Sequence, residues 1–259
     1  MFTGIIEALG TVTDVTVDPG GESARITVDA GPIVHDLPRG GSLAVNGVCL
    51  TAVPVTAGDG DGDAPGGGST ADGEDTGVTR GSFTADVMGE TLRRTSLGAL
   101  APGSPVNLER CMPAGGRYDG HVVQGHVDGL GTVSEREDLD GWVRLRVDIP
   151  ADLARYTAEK GSIALNGTSL TLKAVSPVDA PTAWVEVGLI PATLDHTVFG
   201  QAAAGDPVNV EVDVLAKYAA RLLAFSAQTD STDPAARSHP GARSRPAAVP
   251  STPSHQEPA

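Results

Sequence analysis

Two motifs of the chain place small polar side chains in the same frame. The stretches NGVCLT and NGTSLT put Cys49 of the first where the second has Ser169, and Thr51 or Thr171 follows two positions later. Residues two apart in a strand project from one face. The first stretch therefore presents a thiol and a hydroxyl on one strand face, and the second presents two hydroxyls, which makes both candidates for a ligand site. The alternative for Cys49 is a small buried side chain without a chemical role.

The segment GHVVQGHVD holds two further candidates, His121 and His126. On a regular strand their odd spacing directs them to opposite faces, so we do not expect them to chelate one metal ion, and no Cys or His cluster with zinc spacing occurs elsewhere. An imidazole near a strand end can carry a proton near neutral pH, and a purely structural role is the alternative. The chain lacks the dinucleotide, Walker and nucleophile-elbow motifs, so no residues support dinucleotide binding, nucleoside-triphosphate binding or a hydrolase of that class.

The chain is internally duplicated, and the elements that position these residues occur twice. FTGIIEALGTV near the start matches VQGHVDGLGTV, GSLAVNGVCLT matches GSIALNGTSLT, and VNLE matches VNVE. The spacing between matched motifs shortens downstream of residues 58–77 by nearly the length of that stretch, which is rich in glycine and acids and has no base. We therefore expect 58–77 to be a disordered acidic insert in the first copy, and the proline-rich residues 227–259 to be a disordered tail.

Composition restricts the function further. The formal charge of −15, from 33 acidic and 18 basic side chains, makes nucleic acid an unfavourable partner. No apolar run approaches the roughly 20 residues that span a bilayer, and the opening residues lack the pattern of a signal peptide, so we expect a cytoplasmic protein without a membrane partner. The two cysteines, Cys49 and Cys111, are expected to be free thiols.

The sequence pattern of each copy predicts a set of short strands. Segments such as SARITVD and WVRLRVDI alternate apolar and polar residues and are bounded by Gly, Pro or Asp, which is typical of a small antiparallel barrel or sandwich. One long helix is predicted over residues 213–226, where Val214, Leu215, Tyr218 and Leu222 belong to one apolar stripe. That stripe either joins copies of the chain or packs on its own barrel.

Ordered motifs along the chain resemble the riboflavin synthase alpha chain family. They are MFTGIIE, NGVCLT, FTADVMGETLRRTSLG, VNLER, GGRYDGHVVQGHVDGLGTV, KGSIALNGTSLT, IPATLDHTVFG and VNVEVDVLAKY. The resemblance implies an all-β fold of two tandem six-stranded antiparallel Greek-key barrels, over residues 1–119 and 120–212. It also implies a C-terminal α-helix at 213–226 that gathers three chains, with the active site between the first barrel of one subunit and the second barrel of its neighbour.

The implied reaction is a dismutation of two 6,7-dimethyl-8-ribityllumazine molecules to riboflavin and 5-amino-6-ribitylaminouracil. Two like pockets would hold two copies of one substrate in a reactive arrangement. The substrate's C7 methyl group is acidic because its anion is delocalised into the ring, so this reading needs no cofactor. A lumazine synthase is a possible partner.

Residue roles follow from the resemblance position by position. Cys49 and Thr51 with His126 are expected around the ligand of the first barrel, and Ser169, Thr171 and Asp213 around that of the second. His126 would carry a proton or orient a ring, the two hydroxyls would assist deprotonation or nucleophile addition at C7, Asp213 would orient those hydroxyls, and Cys49 would add to the ring or shape the pocket. The implied substrate-binding positions are Gly4, Ile5, Ile6, Cys49, Leu50, Thr51, Asp86, Val87, Met88, Gly89, Glu90, Thr91, Gly125, His126, Val127, Lys160, Ser169, Leu170, Thr171, Ile190, Pro191, Ala192, Thr193, Leu194 and Asp195.

Two other classes of protein compete with the enzyme. A lumazine protein of the same duplicated fold holds a lumazine or flavin without converting it, and a scaffold would use the acidic insert and tail to dock partners. The retained polar set favours the enzyme over both, although Ala192 stands where the first copy has Glu90 and the family commonly has a polar residue.

Overall fold

The chain folds into twelve described strands and three described α-helices, seen in a computed structural model that describes residues 1–53 and 81–232. The predicted insert at 58–77 and the tail from 233 lie outside the described residues. The strands of the first copy are β1 (Ala8–Val17), β2 (Ser23–Asp29), β3 (Ser42–Val45), β4 (Val48–Thr51), β5 (Ser82–Met88) and β6 (Pro105–Arg110). Those of the second are β7 (Gly129–Leu139), β8 (Trp142–Asp148), β9 (Ser162–Leu165), β10 (Thr168–Val175), β11 (Trp184–Leu189) and β12 (Pro207–Val212), and the helices are α1 (Gly89–Arg94), α2 (Pro191–His196) and α3 (Val214–Thr232).

Both copies have the same antiparallel strand order, so the predicted pair of six-stranded barrels is confirmed. The second copy is a closed barrel, β10-β11-β8-β7-β12-β9, and the first is a six-stranded sheet, β4-β3-β6-β1-β2-β5, in the equivalent order. The first barrel is nearly closed, because the Val53 N–H donates to the Thr84 carbonyl (2.9 Å) across the seam between β4 and β5. A bulge lies at the same place in β1 and β7, where it bends each long strand around its barrel.

Aliphatic side chains fill each barrel, as the low aromatic content predicts. Each core has one fully buried aromatic, Phe83 in the first and Phe199 in the second, surrounded by Val, Leu, Ile and Ala. The alternating pattern of β8, in which Val143, Leu145 and Val147 are buried, is typical of strands with one face in the core.

Four buried asparagines connect the barrels across an approximate two-fold axis. Within each copy, the Asn107 N–H donates to Asn46 Oδ1 and the Asn209 N–H donates to Asn166 Oδ1, both at 2.8 Å. Between copies, Asn107 Nδ2 donates to the Asn166 carbonyl (2.9 Å) and Asn209 Nδ2 to the Asn46 carbonyl (2.8 Å). We call this set the asparagine ladder. Because it satisfies buried backbone groups of both copies, it fixes how the barrels dock.

Helix α3 differs from its predicted bounds. It begins after Asp213, whose Oδ1 accepts from the Leu215 N–H (2.9 Å) and so caps the helix, and it continues to Thr232 instead of ending at 226. Residues 227–232, expected in the tail, lie in the described helix, and this stretch has no Gly or Pro to interrupt it. Among the described residues, no helix is long and apolar enough to cross a bilayer.

Replacing Asn209 by Ala tests the asparagine ladder. The substitution leaves the Ser96 N–H, which donates to Asn209 Oδ1 (2.7 Å), and the Asn46 carbonyl buried without partners. We expect the free energy of unfolding to fall by about 2 to 5 kcal/mol, measured by urea denaturation. Thr132→Ala on the exposed face of β7 is the control, with a change within about 0.5 kcal/mol. An Asn209→Ala loss no larger than that of the control contradicts the role of the ladder.

Candidate active site

The leading segment of each copy crosses to the other copy's barrel. Phe2 and Val123 occupy matching positions and form an antiparallel bridge, with N···O distances of 2.8 and 3.2 Å. Beyond that bridge, the Ser169 N–H donates to the Gly4 carbonyl (2.7 Å) and the Cys49 N–H to the Gly125 carbonyl (2.9 Å). The strand that carries each predicted cluster is thus bonded to the leading segment of the opposite copy.

Glycine is required at both crossing points. Gly4 and Gly125 have φ values of +77° and +76°, in the left-handed region. A Cβ on Gly4 would lie 2.6 Å from the Cβ of Ser169, and one on Gly125 would lie 2.7 Å from the Cβ of Cys49. The backbone therefore approaches both reactive side chains as closely as sterics allow.

Two buried glutamates hold the leading segments in place. Glu109 Oε1 accepts from the Thr3 N–H (2.6 Å), and both of its carboxylate oxygens accept from the Gly4 N–H (3.0 Å). Glu211 accepts from the N–H groups of Gln124 (2.7 Å) and His126 (2.9 Å). Burial raises the pKa of both carboxyls, while the backbone donors act in the opposite direction. Sequence reasoning missed these residues, although the same acid at matching positions of VNLE and VNVE was a usable signal.

The second-barrel cluster is organised around His121, a residue that sequence reasoning left without a role. His121 Nδ1 lies 2.7 Å from Ser169 Oγ. Burial lowers the pKa of His121, and the nearby Asp213 carboxylate raises it in part, so the imidazole is neutral at physiological pH and can accept the hydroxyl proton. The odd-spacing argument treated this segment as a regular strand, whereas it is irregular and turns at Gly125.

Thr171 shares a strand face with Ser169, whereas Asp213 acts on the His121–Ser169 pair from the start of α3. Thr171 is exposed on the same face of β10 as Ser169. The Asp213 carboxylate caps α3, and within the described residues it makes no hydrogen bond to Ser169 or Thr171. The geometry therefore replaces the expected direct orientation of the hydroxyls with an electrostatic influence of Asp213 on His121.

The first-barrel cluster is more apolar. Cys49 is half-buried against Phe2, Ala44 and Val123, and burial raises the pKa of its thiol, so the thiol form predominates near neutral pH. Thr51 is exposed on the same face of β4. His126 is exposed and directly follows Gly125, whose carbonyl accepts from the Cys49 N–H.

Most of the other expected binding positions lie where strands lead into short helices. Residues 86–91 span the end of β5 and the start of α1, and residues 190–195 span the entry to α2 and most of its length. Apolar side chains are freely accessible at Ile5, Met88 and Ile190, which are 45%, 69% and 59% exposed.

Some expected binding positions are engaged or buried. Asp86 pairs with Arg25 (2.8 Å), and Glu90 pairs with Arg94 (2.9 Å). The remaining positions divide by burial: Leu50, Val87 and Gly89 are buried, Ile6, Thr91, Val127, Leu170, Thr193 and Leu194 are half-buried, and Lys160, Pro191, Ala192 and Asp195 are exposed. Because Leu50 and Val87 belong to the first core, only their backbone can contact a ligand.

Comparison with known proteins agrees with this architecture. The family model for the lumazine binding domain matches residues 3–111 and again residues 124–213, so the chain carries this domain twice in tandem. The chain is 44% identical over 225 residues to the riboflavin synthase of Mycobacterium tuberculosis (strain ATCC 25618 / H37Rv), an alignment that covers 86% of this chain and 98% of that relative. It is 36% identical over 223 residues to the riboflavin synthase of Bacillus subtilis (strain 168), covering 86% and 90%. The chain belongs to the riboflavin synthase family.

A solved structure shows the same fold at lower identity. LumP complexed with riboflavin matches with a TM-score of 0.66 and 21% identity, covering 82% of this chain and 99% of that one. At this level of identity the likeness supports the duplicated barrel fold alone.

The His121–Ser169 pair predicts a specific pH dependence. Because burial lowers the pKa of His121, turnover should fall on the acid side with an apparent pKa below the ordinary value of about 6.5, as the imidazole takes up a proton and can no longer accept one. His121→Gln should reduce the neutral rate about a hundredfold and abolish this acid limb, measured as initial rates of riboflavin formation against pH. The exposed His35→Gln is the control. An unchanged acid limb in His121→Gln would rule out His121 as the titrating group.

Proposed function

We propose that the two clusters are the two ligand sites of the dismutation that riboflavin synthases perform, with one 6,7-dimethyl-8-ribityllumazine at each. The relatives establish the activity of the family. The observation that carries the site assignment is the reciprocal bonding of Gly4 to Ser169 and of Gly125 to Cys49, which gives both clusters the same frame. Bound side by side, two identical rings react as a positioned pair.

The second cluster supplies the proton transfer in this proposal. Ser169 Oγ takes a proton from the C7 methyl group while passing its own proton to Nδ1 of the neutral His121, at 2.7 Å. The methyl C–H bond breaks, an imidazolium N–H forms, and the ring delocalises the carbanion. The Asp213 carboxylate stabilises the imidazolium, since it acts to raise the His121 pKa.

Cys49 shapes the first site in this proposal. Its raised pKa and apolar neighbours disfavour the thiolate, which is the nucleophilic form. Thr51 and the exposed His126 are the polar groups left to meet a ligand at that site.

The assembly that we propose is a homotrimer, with the first barrel of one subunit facing the second barrel of its neighbour. The supporting observation is the apolar stripe of α3, where Leu215, Tyr218 and Leu222 are 66%, 66% and 69% exposed. Exposed apolar area of this kind is buried when helices of several chains associate. We also propose a cytoplasmic location, supported by the two free cysteines, and a lumazine synthase as a partner, because such an enzyme would supply the substrate.

Turnover separates an enzyme from a binding protein of the same fold. The purified chain mixed with 6,7-dimethyl-8-ribityllumazine should form riboflavin, detected by absorbance and green fluorescence, with two substrate molecules consumed for each product. Ser169→Ala should lower the rate roughly a hundredfold or more, because the proton relay loses its middle member. Ser176→Ala, just past the far end of β10, is the matched control. Binding of the substrate without any new flavin signal would show that the chain is not a catalyst.

Mixing two inactive variants tests whether neighbouring subunits share a site. Ser169→Ala disables the second-barrel cluster and His126→Ala the first. If the barrels of different subunits meet, dissociating and reassociating the two variants together should restore activity to about a quarter of wild type, the share of contacts that random assembly leaves intact. Mixtures as inactive as the separate variants would place both ligands within one subunit.

A further inference from the structure

A cleft of about 350 Å³ opens between the two barrels, beside the asparagine ladder. Its walls come from matching parts of both copies: the turn after α1 (Ser96–Ala99), the turn after α2 (Val198–Gly200), and the starts of β6 and β12. The cleft includes none of the positions assigned above to the two ligand sites. It is large enough for a small organic molecule.

Two asparagine amides that line this cleft have donors to spare. Asn46 and Asn166 are 5% and 6% exposed, and their Oδ1 atoms accept from the backbone N–H groups of Asn107 and Asn209. A backbone N–H donates only to an acceptor, so the amide atom that it meets in Asn46 and in Asn166 is the oxygen, and the remaining amide atom is the nitrogen Nδ2. Neither Nδ2 has a hydrogen-bond partner within residues 1–53 and 81–232.

The two amides stand on neighbouring turns of the cleft wall. The turns that carry them abut, because a Cβ placed on Gly47 would lie only 2.5 Å from the Gly167 nitrogen. Ser96 stands in the same wall, and its buried Oγ has no hydrogen-bond partner among the described residues. A buried hydroxyl of this kind is normally satisfied, and the two amide donors face the same cleft without a protein partner, so the cleft offers three polar groups to a polar occupant.

The lining also defines the charge and shape of the occupant. The walls hold no lysine or arginine but do include Asp206, and the chain carries a formal charge of −15, which disfavours an anion. Leu100, Val198 and Pro207 supply apolar surface for a flat ring. Two amide donors call for two acceptor oxygens on a neutral molecule.

We propose that this cleft is a binding site, separate from the two reactive clusters, for a neutral planar heterocycle with two ring carbonyls. The pyrimidinedione ring of riboflavin has this chemistry, so the product of the reaction is the occupant that we assign. Its two carbonyls match the donors of Asn46 and Asn166, and its imide N–H matches the Ser96 hydroxyl as an acceptor. Only the choice of riboflavin rests on the proposed function.

Equilibrium dialysis with riboflavin tests the site. Ala99→Trp, at an exposed cleft position outside both clusters, fills the cleft, and Ala204→Trp, exposed and outside it, is the matched control. The Ala99→Trp variant should bind one riboflavin fewer per chain than wild type and the control, with turnover of 6,7-dimethyl-8-ribityllumazine unchanged. Asn46→Asp keeps the acceptor for Asn107 but removes the donor, and should weaken that one site about tenfold.

Two outcomes would overturn the inference. An equal riboflavin count in wild type and Ala99→Trp would show that the cleft binds none, and loss of turnover in Ala99→Trp would make the cleft part of the catalytic site. Failure of the proposed function gives a different result, because absence of turnover in every variant leaves the difference in riboflavin count readable.

Discussion

The exchange of leading segments between the two barrels is the constraint on which the rest of the structure depends. Ser169 is bonded to Gly4 of the first copy, and Cys49 to Gly125 of the second, so neither reactive strand is completed by its own half. Glu109 and Glu211, which anchor these segments, are only 3% exposed. Glu109 lies in the first barrel and holds the first leading segment, and Glu211 lies in the second barrel and holds the second leading segment. A displacement of either barrel would therefore move both clusters, which makes rigid docking a condition for chemistry.

Docking through buried amides gives that rigidity a defined geometry. An apolar interface tolerates small slips because it is not directional, whereas hydrogen bonds at 2.8 to 2.9 Å fail when donor and acceptor shift. Asn46 and Asn166 also hold left-handed backbone, with φ values of 46° and 44°, in the turns before β4 and β10. The same residues thus form the hairpins that present Cys49 and Ser169 and align the barrels that carry them.

Local pattern and duplication predicted two copies of a small antiparallel barrel or sandwich, the polar pairs on one face of β4 and β10, and the start of α3, because those features depend on alternation and on matched motifs. The choice of barrels came from the family resemblance. The His121–Ser169 contact was not predictable in this way, since it joins two residues that are distant in sequence and that are each bonded to the leading segment of the first copy, at Thr3 and Gly4. The roles of Glu109 and Glu211 were not predicted for a related reason. A glutamate in a strand of alternating polarity is expected to face solvent unless its buried hydrogen-bond donors are known. The described helix α3 runs past its expected end because residues 227–232, which have no Gly or Pro, were grouped with the proline-rich tail on composition.

Duplication has produced two clusters with the same backbone arrangement but with different acid–base properties. Ser169 has an imidazole at hydrogen-bond distance whose pKa is lowered by burial, a combination that makes a base available at neutral pH. Cys49, in the matching position, lies among apolar side chains that raise its pKa and keep it protonated. A reaction between two copies of one molecule requires such a difference, because identical surroundings would activate both rings alike. In the proposed site assignment, the shared backbone frame aligns the two rings, and the differing side chains give them different roles.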